Sequence, residues 1–184
     1  MKLLIASDIH GSLAATRRIA ALMERENPES LVLLGDILYH GPRNPFPGEY
    51  NPAEVVETLN AFKDKIIAVR GNCDSEVDQM VLAFTLAEPT SWIFTEDGRI
   101  LAAHGHRHSL GAIRESARLA GGDAFLSGHT HVPTARLHEG VHMWNPGSAS
   151  LPKEGFPPSY AVFEDGRFTV FSLDGERLMQ DSFI

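Results

Sequence analysis

The sequence has 184 residues, of which 43% are hydrophobic, and a formal net charge of −8 at pH 7. We expect residues 1–184 to form a single domain, because this length and composition suit one ordinary globular unit. The negative charge argues against binding to nucleic acid, and no apolar run approaches the roughly 20 residues of a membrane span. One cysteine, together with a first apolar run too short for an export signal, predicts a cytoplasmic protein.

Short apolar runs recur along the first two thirds of the chain and predict strands that are buried on both faces. These runs are Leu3–Ala6, Leu31–Leu34, Ile66–Val69, Trp92–Phe94, Ile100–Ala103 and Ala124–Leu126. Helical patterns fall between them, over Ser12–Glu26, Ala53–Phe62 and Leu110–Ala120. The first third therefore alternates strand and helix, which indicates a parallel sheet.

The last third of the chain has a different pattern, with short strands separated by turn residues such as Glu139-Gly140 and Asp165-Gly166. The predicted strands are Thr134–Leu137, Val141–Trp144, Tyr160–Glu164 and Arg167–Leu173. This spacing is typical of hairpins. We expect a layered α/β domain with two packed sheets in its middle.

Side chains that bind metals directly follow five of the predicted strands. They are Asp8, His10, Asp36, Asn72, His104, His129 and His131. Because ligands bind at the carboxyl ends of strands in a parallel α/β sheet, we expect these side chains to converge. In Asp8-Ile9-His10 and His129-Thr130-His131, residues two apart point the same way where the chain is extended. A glycine before Asp36, Asn72 and His129 lets the backbone turn close to an ion. Five such motifs in order favour a metal site over chance.

This ordered set of motifs resembles the calcineurin-like metallophosphoesterase superfamily. The Gly71-Asn72-Cys73-Asp74 segment and the short chain are similar to the small phosphodiesterases of that superfamily, and Asn145-Pro146-Gly147-Ser148 extends the resemblance. The resemblance implies a four-layer α/β/β/α sandwich and two divalent metal ions. It implies that the ions are held by two sets of ligands that share Asp36 as a bridge: Asp8, His10, Asp36 and His131, and Asp36, Asn72, His104 and His129.

The donor set and the resemblance together predict the chemistry. Manganese is the metal that the resemblance implies, while oxygen and imidazole donors suit zinc, iron, cobalt or nickel equally well. Two such ions would supply a bridging hydroxide for in-line attack on phosphorus. We therefore expect a phosphoric diester hydrolase that acts on a small phosphodiester substrate, with Asp36, Asn72 and His104 as catalytic residues. A count of formal charges around two ions favours a diester slightly over a monoester.

Cys73 departs from the pattern of the superfamily, many members of which carry a histidine there to protonate the leaving oxygen. A neutral thiol with a pKa of ~8.5 is a poor replacement for an imidazolium. We therefore expect leaving groups of low pKa, such as aryl oxides, to react best. His106 is an alternative proton source or phosphate contact, or else an exposed loop histidine. An exposed position is the better interpretation of His108. A covalent role for Cys73 has little support, because no phosphate-binding loop follows it.

Two other functions remain open on the sequence. One is a phosphomonoesterase acting on a phosphoprotein or a nucleotide. The other is a protein-binding scaffold of the same fold with weak catalysis, which the complete ligand set disfavours.

The segment Tyr39–Pro52, with four prolines and three aromatic residues, is interpreted either as an ordered surface connection or as a lid or interface loop. We expect Phe46 and Tyr50 to be exposed in this loop, where they would favour a homo-oligomer. Arg43 is more simply a solvated residue than a partner for substrate phosphate, and His40 is a weaker candidate for the site.

Overall fold

The computed structural model describes residues 1–87, 89–107 and 110–183. The strands are β1 Lys2–Ala6, β2 Ser30–Leu33, β3 Ile66–Val69, β4 Leu86–Ala87, β5 Thr90–Phe94, β6 Arg99–Ala103, β7 Ala124–Leu126, β8 Thr134–His138, β9 Val141–Asn145, β10 Ser159–Glu164, β11 Arg167–Ser172 and β12 Arg177–Ser182. The helices are α1 Leu13–Glu26, α2 Pro52–Asn60, α3 Glu76–Val81 and α4 Leu110–Ala117, with a 3-10 turn over Lys63–Lys65.

The strands form two sheets. The larger sheet has seven strands in the order β12-β11-β10-β1-β2-β3-β4, and the smaller has five in the order β5-β6-β7-β9-β8. In the larger sheet β1 to β4 run parallel, and the antiparallel strands β10 to β12 extend the sheet beyond β1. In the smaller sheet β6, β7 and β9 run parallel. The parallel strands of both sheets therefore carry the chain segments with metal-binding side chains at their carboxyl ends.

Three buried clusters separate four layers of structure. In β1, Leu4 faces a cluster shared with α1 and α2, while Leu3 faces a cluster between the two sheets. A third cluster, around Ile113 of α4, covers the outer face of the smaller sheet. Strands buried on both faces explain why their sequences are continuously apolar rather than alternating. The order of helix, sheet, sheet and helix confirms the predicted four-layer sandwich.

Local capping explains where the first helix begins and ends. Ser12 accepts a hydrogen bond from the amide of Ala15 at 3.3 Å, and Asn27 closes the helix in a left-handed conformation with φ of 43°. All predicted strands and helices are present, with bounds that differ by at most three residues. No helix in the described ranges is long and apolar enough to cross a bilayer.

Three elements were not predicted from the sequence: α3, β4 and β12. α3 has six residues and is held by a reciprocal capping box between Ser75 and Asp78, while β4 has only two residues. The edge strand β12 carries charged or polar side chains at four of its six positions, as expected for an edge that must avoid further pairing. Such short or polar elements give no clear periodic signal.

The loop Tyr39–Pro52 is packed against the start of α1. Tyr50 forms a bridge with Ser12, and its ring lies 5.0 Å from that of Phe46 and 5.4 Å from that of His40. The expectation that Tyr50 is exposed was therefore wrong, because these contacts leave it only partly accessible. Phe46 is exposed as expected, with 67% of its surface accessible.

Candidate metal centre

The predicted site residues lie in unusual backbone conformations at the strand ends. Positive φ angles between 50° and 66° occur at Asp8, His10, Asp36, His129 and His131. The alternation expected for an extended chain does not apply here, because the backbone is left-handed at both members of each pair. Left-handed backbone at non-glycine residues costs of order 1–3 kcal/mol each, and such strain concentrates at functional sites.

The first group of donors is small and deeply buried. The Nε2 atom of His131 lies 3.2 Å from Oδ1 of Asp8 and 3.3 Å from Nε2 of His10. The Nε2 atom of His10 lies 3.7 Å from the same Asp8 oxygen. The three residues are at most 3% exposed. Three donor atoms thus face one point although 121 residues separate His10 from His131.

Hydrogen bonds at the other ring nitrogens show which form these imidazoles take. The Nδ1 atom of His10 lies 2.8 Å from the carbonyl oxygen of Tyr39, and Nδ1 of His131 lies 2.6 Å from that of Leu151. Because a carbonyl only accepts, each Nδ1 carries the proton, and in the neutral ring each Nε2 has a lone pair. Burial lowers the pKa of His10, which favours its neutral form.

The first group therefore fits a metal ion. Two lone pairs point toward each other, and Oδ1 of Asp8 is buried without a hydrogen-bond partner. Such an arrangement is repulsive unless a cation lies among the three atoms. Carboxylate oxygen and imidazole nitrogen are the usual ligands of divalent transition metals.

The second group of donors lies around Asp36. The Nδ1 atom of His104 donates to the carbonyl of Leu34 at 2.7 Å, and its Nε2 lies 3.0 Å from Oδ1 of Asn72 and 3.5 Å from Oδ1 of Asp36. The other Asp36 oxygen lies 3.7 Å from Nε2 of His10, in the first group. Asp36 therefore faces both groups, which is the position of a bridging ligand.

His129 is the loosest member of the predicted set. Its ring centroid lies 5.0 Å from that of His104, and its amide donates to Oδ2 of Asp8 at 3.0 Å. Among the described residues, its ring nitrogens belong to none of the groups whose donor atoms lie within 4.8 Å of one another. The structure therefore brings six predicted ligands together and leaves His129 beside them.

The ionisation of the second group reflects its burial. Burial acts to raise the pKa of Asp36, but its interaction with His104 and the amide of Cys73 outweigh that effect and hold the pKa well below its usual range. Burial likewise acts to lower the pKa of His104, yet Asp36 and Asp8 raise it to about 9. In the protein without an ion, the imidazole of His104 is therefore protonated at neutral pH, and an ion bound to Nε2 would displace a proton.

Two glycines allow the strand ends to approach each other this closely. A Cβ atom at Gly71 would overlap Oδ1 of Asp36, and one at Gly128 would overlap Oγ of Ser7, whose hydroxyl donates to Asp8 at 2.6 Å. These contacts agree with the predicted role of the glycines before Asn72 and His129.

Asp74 positions the site without belonging to either donor group, a role that the sequence left undecided. Its carboxylate accepts hydrogen bonds from the amides of Asp36 at 2.8 Å, Ile37 at 2.8 Å and Gly71 at 2.7 Å. Burial raises the pKa of Asp74 to about 6, although the three amides act to lower it. The residue fixes the loops after β2 and β3 against each other.

The segment Asn145–Ser148 holds the opposite side of the site. The Ser148 hydroxyl donates to the carbonyl of Asp8 at 2.8 Å and accepts from the amide of Leu151 at 2.9 Å. The Asn145 side chain donates to the carbonyl of Gly128 at 2.8 Å. The sequence singled out this segment only by resemblance, and the structure gives the physical reason for it.

Cys73 lies beside the donor groups. Its amide donates to Oδ1 of Asp36 at 2.8 Å, and its sulfur accepts from the side chain of Asn72 at 3.2 Å. Burial, followed by the charge of Asp36, raises the pKa of Cys73 to about 12. The thiol is therefore protonated at neutral pH, which makes it a poor nucleophile.

The other histidines among the described residues lie outside the donor groups. The ring of His106 is 5.3 Å from that of His104, and its Nε2 accepts from Nε of Arg107 at 2.9 Å. Burial, followed by the charge of His104, lowers the pKa of His106 to about 4. The ring of His40 lies 4.3 Å from that of Phe46 in a tilted arrangement. His108 lies outside the described residues.

A cleft of about 380 Å³ opens over the two groups. Its lining includes Asp36, Asn72, Cys73, His129 and His131, together with Gly41, Pro42, Arg43, Asn44 and Lys153. Arg43 thus lies in the wall of the cleft rather than away from it, and Lys153 was not singled out by the sequence. His106 lines a separate small pocket together with His104, and its ring lies 6.0 Å from that of His129.

The fold and the donor groups define a class of protein. The sequence profile of the calcineurin-like phosphoesterase superfamily domain matches residues 1–165. The chain therefore belongs to that superfamily, which confirms the predicted family, classes the chain with the phosphoric ester hydrolases and supports divalent metal ions at the His/Asp cluster.

Particular relatives are close in sequence and structure. Phosphodiesterase YfcE of Escherichia coli K12 is 44% identical over 182 residues, covering 97% of this chain and 96% of YfcE. The solved structure of E. coli YfcE, described as a phosphoesterase, aligns with a TM-score of 0.95 and covers 100% of both chains. The expected similarity to the small phosphodiesterases of the family is confirmed. Vps29 from Entamoeba histolytica in complex with Zn²⁺ is 18% identical with a TM-score of 0.65 over 100% of both chains, a likeness that shows the fold alone.

Proposed function

We propose that this chain is a metal-dependent phosphodiesterase whose two divalent ions share Asp36. The observation that carries the proposal is the meeting of the unpartnered Asp8 oxygen with the Nε2 lone pairs of His10 and His131. Asp36 faces this group with one carboxylate oxygen and His104 with the other. The name of the relative YfcE supports a diester as the substrate.

The proposed ligands divide between two sites. Asp8, His10, His131 and one Asp36 oxygen would hold the first ion. The other Asp36 oxygen, Asn72, His104 and His129 would hold the second. We propose manganese as the ion, with zinc, iron, cobalt and nickel as alternatives that the donors also suit. The single free cysteine supports a cytoplasmic location.

The ions, when bound, supply a hydroxide nucleophile near neutral pH and positive charge for the phosphoryl oxygens. The chain orients this chemistry through the hydrogen bonds at Nδ1 of each ligating histidine. Asp74 and Ser148 hold the strand ends that carry Asp8 and Asp36. Asn72 lies exposed at the cleft, where its amide reaches the substrate as well as the second ion.

Leaving groups of low pKa are the proposed preference. The only thiol, Cys73, has a pKa raised to about 12 and donates a proton weakly. His106 lines a pocket separate from the cleft, which disfavours it as a proton donor to the leaving oxygen. An aryl oxide needs no proton to depart, whereas an alkyl oxide does.

The test is hydrolysis by protein that has been stripped of metal and reloaded with one metal at a time. We expect bis(p-nitrophenyl) phosphate to be cleaved, with Mn²⁺ giving the highest rate, and an ethyl p-nitrophenyl diester to lose only p-nitrophenoxide. The Asp36→Asn variant serves as the inactive control. Faster cleavage of p-nitrophenyl phosphate than of the diester would favour the phosphomonoesterase hypothesis instead. No cleavage with any metal would favour the hypothesis of a protein-binding scaffold.

A further inference from the structure

The wall of the cleft carries two cations that the metal centre does not use. Arg43 and Lys153 line the same cleft as Asp36 and His131. Both side chains are exposed. Within the described part of the chain, neither side chain forms an ion pair or a hydrogen bond. In a protein with a net charge of −8, this is a local concentration of positive charge over the reaction site.

The backbone fixes both cations at the cleft although their side chains are free. Arg43 lies in a turn in which the amide of Asn44 donates to the carbonyl of Gly41 at 3.2 Å, and Gly41 packs beside Cys73. The amide of Lys153 donates to the carbonyl of His131 at 3.2 Å. Each cation is therefore tied to one side of the candidate metal centre.

The formal charges leave a positive remainder. Two divalent ions, the ligating carboxylates of Asp8 and Asp36, and one attacking hydroxide sum to +1, which a phosphodiester monoanion neutralises. Arg43 and Lys153 add two positive charges that the reacting phosphoryl group leaves unbalanced. A substrate whose second substituent is neutral leaves both cations without a partner in the cleft, whereas one further anionic group can pair with them.

The reacting phosphoryl group and a second anionic group on the substrate would lie at different depths in the cleft. Asp8 and Asp36 are at most 2% exposed, so the phosphoryl group reacts at the bottom of the cleft. Arg43 and Lys153 lie at its exposed wall, where the outer part of a bound substrate would lie. The second charge of a phosphomonoester lies on the reacting phosphoryl group itself and does not need them.

We infer that the substrate class of this site is a phosphodiester whose non-leaving substituent carries a second anionic group, a phosphate or a carboxylate, recognised by Arg43 and Lys153. The inference rests on the proposed phosphodiesterase activity and deepens it. It makes both residues specificity determinants rather than catalytic residues.

The test compares the hydrolysis of matched p-nitrophenyl diesters by the full chain loaded with metal. The second substituent is propyl, 2-carboxyethyl or 2-phosphonoethyl, so that size changes little while charge does. We compare wild type with Arg43→Gln, Lys153→Gln and the double variant. Lys63→Gln is the matched control. Lys63 is an exposed cation in the turn before β3, at the end of that strand opposite to the candidate metal centre.

Each single variant should lower kcat/KM about threefold for the two anionic diesters, mainly through KM, and the double variant about tenfold. The propyl diester and the Lys63→Gln variant should change less than twofold. The difference should shrink in 0.5 M salt, because screening weakens exposed charge pairs. The carboxylate and phosphonate arms show which anion is preferred.

Binding gives a readout that is independent of turnover. Propyl 2-carboxyethyl phosphate and dipropyl phosphate lack an aryl leaving group, and calorimetry should find the former bound several-fold more tightly by wild type but not by the double variant. If the Arg43 and Lys153 variants lost kcat/KM equally for all three aryl diesters, or if wild type showed no preference for an anionic substituent, the inference would be refuted. The proposed phosphodiesterase activity would still stand. Failure of wild type to cleave even the propyl diester would instead refute the proposed function.

Discussion

The two halves of the candidate metal centre differ in how completely the fold assembles them. Asp8, His10 and His131 form the first half, and all three are at most 3% exposed, with each imidazole oriented by a backbone carbonyl. Asn72, His104 and His129 form the second half. There only His104 is fully buried, while Asn72 is exposed and His129 partly so.

This difference indicates that the two halves have different roles in binding metal and substrate. The first half is preorganised, so binding an ion there requires little rearrangement of side chains and costs little conformational entropy. The second half borders the cleft and leaves two of its ligands accessible. We expect the first half to hold its ion tightly and the second to hold its ion more weakly, beside the substrate. Asp36, which faces both, couples the two halves.

The largest effect should come from removing the bridge. Asp36→Asn leaves an amide with one neutral oxygen in place of a two-oxygen carboxylate, so one half loses its Asp36 ligand, the other keeps a weaker one, and the bridge is broken. We expect kcat for an aryl diester to fall by more than the roughly 10–100-fold typical of outer-shell partners. Metal content by mass spectrometry should fall as well. A variant that keeps both ions and most of its activity would contradict the shared role of Asp36.

A pair of histidine variants tests the comparison itself. His131→Ala removes a buried ligand of the first half, and His129→Ala removes an accessible ligand of the second. After dialysis against a weak chelator, we expect His129→Ala to retain the first ion and His131→Ala to lose it. Circular dichroism checks that both variants remain folded. Equal loss of metal from the two variants would mean that the halves do not differ in affinity.

Asp74 should matter less than the ligands but more than an ordinary surface carboxylate. In Asp74→Asn one side-chain oxygen becomes an amide nitrogen, which cannot accept, so at least one of the three amides loses its partner. We expect a loss of about 1–3 kcal/mol in the free energy of unfolding. A roughly tenfold lower kcat/KM should accompany it. Denaturant titration and steady-state kinetics measure the two effects.

The control for this change is Asp78→Asn, because Asp78 also accepts backbone and side-chain hydrogen bonds but caps α3 away from the ligands. It should reduce stability without changing kcat/KM at a temperature where the protein is folded. Should both variants behave alike, Asp74 would have no positioning role beyond stability.

The smallest predicted effect is a gain of activity from a change beside the second half of the site, which borders the cleft. Cys73→His places an imidazole beside Asn72 and Asp36, where it can protonate a leaving oxygen that the thiol cannot. We expect hydrolysis of alkyl diesters to rise a few-fold, with little change for aryl diesters. Cys73→Ser, which retains a weak proton donor of similar size, should resemble the wild type. A Cys73→His variant that slows both substrates equally would show that space, not proton supply, governs this position.

Most of the layered fold follows from local sequence patterns. Runs such as Leu3–Ala6 are apolar on both faces because one side chain meets the helices and the next meets the other sheet. The weakly patterned elements escaped prediction, since two residues in β4 or a mostly polar edge strand such as β12 present no periodicity. Periodic burial is a local signal, and these elements are fixed by neighbours far along the chain.

By itself the sequence determined which residue types follow which strands, and therefore that Asp, Asn and His donors reach one edge of the sheets. Only the tertiary structure decided their directions. The left-handed turns at Asp8 and His10, the partial burial of Tyr50 and the hydrogen bonds of Asp74 to three amides depend on contacts between distant segments of the chain. The approach of His10 to His131 spans 121 residues. The physical reason is that a strand end places a side chain near a site, whereas hydrogen bonds from distant segments select the rotamer, the tautomer and the lone pair that faces it.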